Sequence, residues 1–170
     1  MLNHITIRKI INLGPLVILY YLSISEIDSH FENYFEILSF NIQLIIIYFW
    51  ILKRPELLGN GHIFFTGLIN DVVMGIPLGL SSLSYLVVSF VAVYVKNMTV
   101  NTRITTDWFT FFIAIFFSNF IFFILMNNFS EITVSITEIS YNTFFTLLFF
   151  PFFWFLFTLY NSIVTTGRYA

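Results

Sequence analysis

From His62 to Val95 the chain runs for 34 residues without a Lys, Arg or Glu, and the one charged side chain in that stretch is Asp71. As a single helix the stretch would be about 51 Å long at ~1.5 Å per residue, far beyond a ~30 Å hydrocarbon core. Near its centre stands Gly75-Ile76-Pro77-Leu78-Gly79, a run that a continuous helix does not tolerate. Two short antiparallel spans reversing at those residues are therefore expected. On the first of them Gly67, Asp71 and Gly75 recur every four residues, with Asn70 and Met74 beside them, so all five share one helical face. A carboxylate at mid-bilayer depth costs roughly 2.5–3.5 kcal/mol, so that face is expected to be covered by protein. The two glycines would admit a closely packed helix.

Composition points the same way. With 58% apolar and 9% charged residues, the chain has too little polar surface for a soluble domain of 170 residues. The reading is an all-α, polytopic membrane protein forming a single domain over 1–170. Its apolar runs have helical length, unlike the alternating ten-residue segments of a membrane barrel. Cysteine is absent, which excludes disulfides, thiolate metal sites and cysteine nucleophiles. His4, His30 and His62 fall near different predicted loops or ends with no HExxH spacing, so neither a metal nor a cofactor is expected.

Charge fixes the expected topology. Arg8-Lys9 precede a first span, Ile10 to Ile24, which has Gly14-Pro15 near its start and Tyr20-Tyr21 as interfacial anchors. Ser23-Ile24-Ser25 resembles a signal-peptide cleavage site without the preferred alanines, and retention of the span is expected. An acidic loop (25–36, with Glu26, Asp28, Glu32 and Glu36) leads to a second span, Ile37 to Leu52. That span needs Tyr34-Phe35 and Trp50 at its two interfaces and stops at Lys53-Arg54-Pro55-Glu56. After the hairpin, Lys96 to Thr106 forms a second basic loop and Asp107-Trp108 open a fifth span running to about Leu125. The loop from Asn127 to Glu138 is acidic, and its alternation over 132–136 fits a short strand or an interfacial segment. A sixth span, Ile139 to Tyr160, contains Pro151. With six spans, all seven Lys and Arg lie on one side, as the positive-inside rule requires, and both termini are cytoplasmic. A single span across 62–95 would set Lys96 and Arg103 opposite Lys53-Arg54.

Three roles fit Asp71. It is a structural carboxyl bonded to Asn70 or to the Ser82, Tyr85, Ser89 face of the next span, a contact for another protein's membrane helix, or a proton- or ion-coupling group. The last normally needs a relay, and no other ionisable residue lies within the apolar runs. The Gly75–Gly79 run fits a tight turn or a broken helix lining a cavity. Asn119, Thr143 and Thr146 fit interhelical hydrogen bonds. A Ser-His-Asp triad is excluded, because His62 stands about 13 Å from Asp71 along one helix at ~1.5 Å per residue.

Arg54-Pro55-Glu56, Phe65 to Asp71, Gly75 to Leu80 and Leu83-Ser84-Tyr85 together resemble the signature region of the bacterial rod shape-determining protein MreD family. That pattern is GL-x-x-D-x-x-x-G-x-PLG after a basic-Pro loop, and the likeness covers about 30 of the 170 residues. The resemblance implies a non-enzymatic inner-membrane component of the cell-elongation machinery that serves lateral peptidoglycan synthesis. It implies binding to the single-span protein MreC and, with the filament protein MreB, control of a RodA-type glycosyltransferase and its penicillin-binding transpeptidase. The family is also similar in fold to the six-helix substrate-binding components of energy-coupling-factor transporters, which supplies a second expectation, a vitamin-type binding component reached from loop 25–36. The residues expected to form the packing or partner face are Gly67, Asn70, Asp71, Gly75, Pro77 and Gly79. No catalytic residue is expected.

Overall fold

A computed structural model of the chain describes residues 13–25, 40–98, 103–130 and 134–166. The described residues form six α-helices and no strand: α1 (Gly14–Ile24), α2 (Ile42–Lys53), α3 (Asn60–Met74), α4 (Leu80–Met98), α5 (Ile104–Phe129) and α6 (Ile136–Thr166). Three are long and apolar enough to cross a membrane, Leu80–Met98, Ile104–Phe129 and the Ile136–Ser162 part of α6. The apolar helices Gly14–Ile24 and Ile42–Lys53 are shorter, and α3 has 15 residues. Three apolar helices of spanning length point to membrane association.

The core is built around α2. Between Gln43 and Lys53 its sequence, LIIIYFWIL, is apolar on every side, which suits a helix surrounded by others. Leu44 to Leu52 are nine consecutive residues, each 3% exposed or less. Helices α1, α4 and α6 pack around it, and Tyr48 of α2 also bonds Thr110 of α5. This placement overturns the interfacial role expected for Trp50. Its indole is 2% exposed and lies against Phe49, Phe157 and Tyr160, with ring centroids 5.3, 6.2 and 5.8 Å away. Tyr34-Phe35, its expected counterparts at the other end, lie outside the described residues. The helix begins at Asn41, whose side chain accepts the Leu44 N–H at 3.2 Å, the usual role of an N-cap.

Hydrogen bonds fix the directions of the helices. In the α3–α4 hairpin Asn60 meets Ser89 while Asn70 meets Ser81, so the two run antiparallel. Asn119 pairs with Thr143 and Asp107 with Trp154, which makes α5 and α6 antiparallel too. Lys53 at the end of α2 reaches Asp107 near the start of α5 at 3.4 Å. Arg54 pairs with Glu56 at 3.1 Å. Burial alone would raise the Glu56 carboxyl, but its own backbone N–H, Arg54 and Lys96 together hold it below the ordinary value. Lys53, Arg54, Lys96 and Arg103 thus gather at one end of the bundle. Glu138 lies at the other end, beside Ser135: the Glu138 N–H donates to Ser135 Oγ at 3.2 Å and the Ser135 N–H to Glu138 Oε2 at 3.4 Å. That reciprocal pair is a capping box opening α6. Ile136 is accordingly the first residue of a helix and not part of a strand; 132 and 133 of the alternation lie outside the described residues. Gly14-Pro15 open α1 as described, with Pro15 in the first turn, where its missing N–H leaves no bond unmade.

Candidate functional site: a polar junction at the α3–α4 turn

The α3–α4 reversal is built from the glycines and the acid together. Gly75 follows Met74 with φ +65°, a left-handed conformation that glycine adopts without strain. The Ile76 N–H then donates to the Asp71 carbonyl at 3.1 Å and the Gly75 N–H to the Val72 carbonyl at 3.3 Å. This crossed pair is a Schellman motif, which satisfies carbonyls left open at the end of α3. Pro77 sits half-buried in the turn, where its fixed φ suits the bend and it has no N–H to satisfy. Gly79, at φ +100°, stands at the N-cap of α4, its carbonyl accepting the Leu83 N–H at 2.9 Å.

A glycine at the N-cap has no side chain to accept the open N–H groups of the first turn. Asp71 does so from the neighbouring helix. Its Oδ2 accepts the Gly79 N–H at 2.6 Å and its Oδ1 the Ser81 N–H at 2.8 Å, and the residue is fully buried. One aspartate therefore closes the end of α3 with its carbonyl and the start of α4 with its carboxylate, where the helix dipole favours negative charge. The partners expected for it were side chains, Asn70 or the serine face of α4; the structure supplies backbone N–H groups.

The other expected residues divide between two roles. Gly67 is a contact glycine: a Cβ there would fall into the Ser82 backbone and 2.7 Å from its Oγ. The face of α3 bearing Gly67 and Asp71 is thus occupied by α4 of the same chain. Gly75 is not part of that face. A Cβ on it would meet nothing within 4 Å, and its role is conformational. Asn70 joins a network instead. It donates to Ser81 Oγ at 3.0 Å and accepts from Gln43 Nε2 at 3.2 Å. Gln43 accepts from the Tyr85 hydroxyl and reaches Ser23 Oγ at 3.5 Å, so one amide at the start of α2 ties α1, α3 and α4 together. Gln43 was not among the expected residues. Its only signal was a lone amide in an otherwise apolar run, a group that when buried must find partners. The Ser82, Tyr85, Ser89 face of α4 is present as expected, but it serves Phe64 O, Gln43 and Asn60.

A second junction lies at the opposite end. Asp107, expected at the opening of the fifth span, lies in the first turn of α5 and is fully buried. Its Oδ2 takes Lys53 Nζ at 3.4 Å and the Trp154 indole N–H at 3.0 Å, with Lys53 also 5.6 Å from the centre of the Trp154 ring. Among the described residues there are thus two buried carboxylates, one at each end of the bundle, where the sequence singled out one. Nothing among the described residues groups three or more metal-ligating side chains. An apolar cleft is lined by Pro15 and Ile18 of α1, Ile46 of α2 and Leu156 of α6. Compared with protein-family models, with curated proteins and with solved structures, the chain matches none.

Proposed function

We propose that the chain is a six-span scaffold of a bacterial inner membrane, both termini cytoplasmic, acting without catalysis in the cell-elongation machinery in the manner of the MreD family it resembles. The observation that carries this reading is that the residues of the GL-x-x-D-x-x-x-G-x-PLG pattern work as one unit. Gly67 seats α4, Gly75 and Gly79 supply the two left-handed positions, and Asp71 binds the turn. The glycines, the aspartate and the proline of the pattern each have a physical reason to stand at their positions, which supports a shared hairpin with that family. The conspicuous polar side chains are spent on joining helices, as suits a protein that presents a rigid surface to others.

On this reading the chain binds MreC, and through it MreB, the RodA-type glycosyltransferase and the penicillin-binding transpeptidase. The test is crosslinking-coupled pull-down from native membranes. MreC recovered with the tagged chain supports the reading, and its absence when the chain is inserted and abundant refutes it. The alternative, a vitamin-type binding component of a transporter, predicts a small molecule retained by the purified protein in native mass spectrometry.

A further inference from the structure

Helix α3 is too short for the bundle it belongs to. Both of its ends lie within the described residues, Gly59 before it and Gly75 after it, and its 15 residues measure about 22 Å at ~1.5 Å per residue. The 26 residues of α5 measure about 39 Å on the same scale. The shortfall falls at both ends. Asn60, the first residue of α3, is level with Ser89, and α4 continues nine residues further to Met98, about 13 Å. Ser84 near the start of α4 is level with Ser118, and α5 continues eleven residues to Phe129, passing the first residue of α4 by about 10 Å.

Among the described residues nothing covers the outer, apolar side of α3, where Phe65 is 58% and Val72 66% exposed. It is bounded by the exposed Gly59-Asn60-Gly61-His62 at one end and the Gly75–Gly79 turn at the other. The apolar belt from Ile63 to Met74, about 18 Å at ~1.5 Å per residue, set against a ~30 Å hydrocarbon layer leaves a mismatch that lipid relieves by thinning. The remedies open to an isolated helix, tilting and sliding, are restricted here, because Gly67 locks α3 to the Ser82 backbone and Asp71 locks its end to α4.

We propose that the α3 side of the molecule is a lipid-thinning surface: it takes short acyl chains, and lets headgroups dip beside Gly59–His62, while the α5 side faces bilayer of ordinary thickness. The inference rests on the membrane-embedded part of the proposed function and not on its partners. The chain has no cysteine, so Phe65→Cys on α3 and Phe116→Cys on α5, two similarly exposed positions, can each carry a bimane label. The labelled proteins are reconstituted in equimolar dimyristoleoyl and dierucoyl phosphatidylcholine, with one or the other lipid dibrominated as quencher. Short-chain lipid is expected to be enriched about twofold or more beside residue 65 relative to residue 116. Gly59→Leu with Gly61→Leu lengthens the belt where an added Cβ meets nothing within 4 Å, and is expected to move the ratio at residue 65 towards the long-chain lipid. Equal ratios at the two positions, or a ratio at residue 65 indifferent to the lengthened belt, overturn the inference alone. Absence of quenching at both positions overturns it together with the membrane-embedded reading.

Discussion

Asp71 offers the sharpest test of how the hairpin is held. Two backbone donors, the N–H groups of Gly79 and Ser81, depend on its carboxylate at 2.6 and 2.8 Å, and the side chain is fully buried. Asp71→Leu keeps the branching at Cγ but puts two methyl groups where the oxygens stood and leaves both donors without an acceptor, and at ~1–3 kcal/mol for each buried group left unsatisfied the loss is about 2–6 kcal/mol. Asp71→Asn keeps one acceptor oxygen, turns an NH2 towards the other donor and removes the charge at the start of α4, for a loss of about 1.5–3 kcal/mol. The expected order is therefore native, then Asn, then Leu. Reversible unfolding of the purified protein in detergent micelles or bicelles gives the free energies. Amide hydrogen exchange gives a local readout, since faster exchange is expected at Gly79 and Ser81 in both variants before it spreads to α5 or α6. If Asn and Leu both stay within about 0.5 kcal/mol of the native protein, or exchange at Gly79 and Ser81 is unaltered, the carboxylate is not what closes α4 and the reasoning fails.

Further outcomes follow from the other contacts. Gly67→Ala drives a methyl into the Ser82 backbone and is expected to destabilise the protein by about 1–3 kcal/mol, and because the obstacle is main chain, adding Ser82→Ala should not restore it. Gln43→Leu is expected to lose about 1–2 kcal/mol in the same unfolding assay, since membrane hydrogen bonds average ~0.6 kcal/mol and three partners are released together. Lys53→Met leaves the Asp107 carboxylate buried without its cation and is expected to lose about 2–3 kcal/mol, less than a fully enclosed pair because Lys53 is 20% exposed, with Asp107→Asn recovering part of the loss. Glu56 is held below its ordinary 4.5, so its contribution is present above that pH and lost as pH falls through the lowered value. With 63% of the side chain exposed, Glu56→Gln should cost only about 0.2–0.5 kcal/mol above pH 4.5, a difference that vanishes as pH falls through the lowered value in a pH series of unfolding midpoints.

The reversal at Gly75–Gly79 was legible because it is local: glycine and proline punctuate a helix wherever they stand. The burial of Asp71 was legible for a similar reason, since a charged group inside an apolar run has few alternatives. Its partners were not, because they are N–H groups brought within reach only once Gly75 has turned left-handed. That same turn takes Gly75 off the helical face to which its four-residue spacing had assigned it. Trp50 shows a different limit. Reading it as an anchor assumed that every span has a lipid-facing side, whereas an apolar run without a polar side belongs at the centre. Asp107 depends on Lys53 and Trp154, which are 54 and 47 residues away in the chain, and its position beside a basic loop gave no hint of its burial.

The two polar junctions address a difficulty peculiar to apolar bundles. In lipid, side chains such as Ile45, Ile46 and Ile47 gain nothing by leaving water, so packing alone discriminates weakly between neighbouring registers of α2. A buried hydrogen bond discriminates strongly, because a slip of one residue leaves its members unpaired. Gln43 and Lys53 stand ten residues apart on α2, about 15 Å along its axis, and at ~100° per residue they project from different faces. Gln43 joins α2 to α1, α3 and α4, while Lys53 joins it to α5 and α6. The central helix is thereby pinned at its two ends to two different sets of neighbours. Loosening either pin should free α2 to slide or rotate against only one set, so the two halves of the bundle are coupled through the rigidity of its nine buried apolar residues.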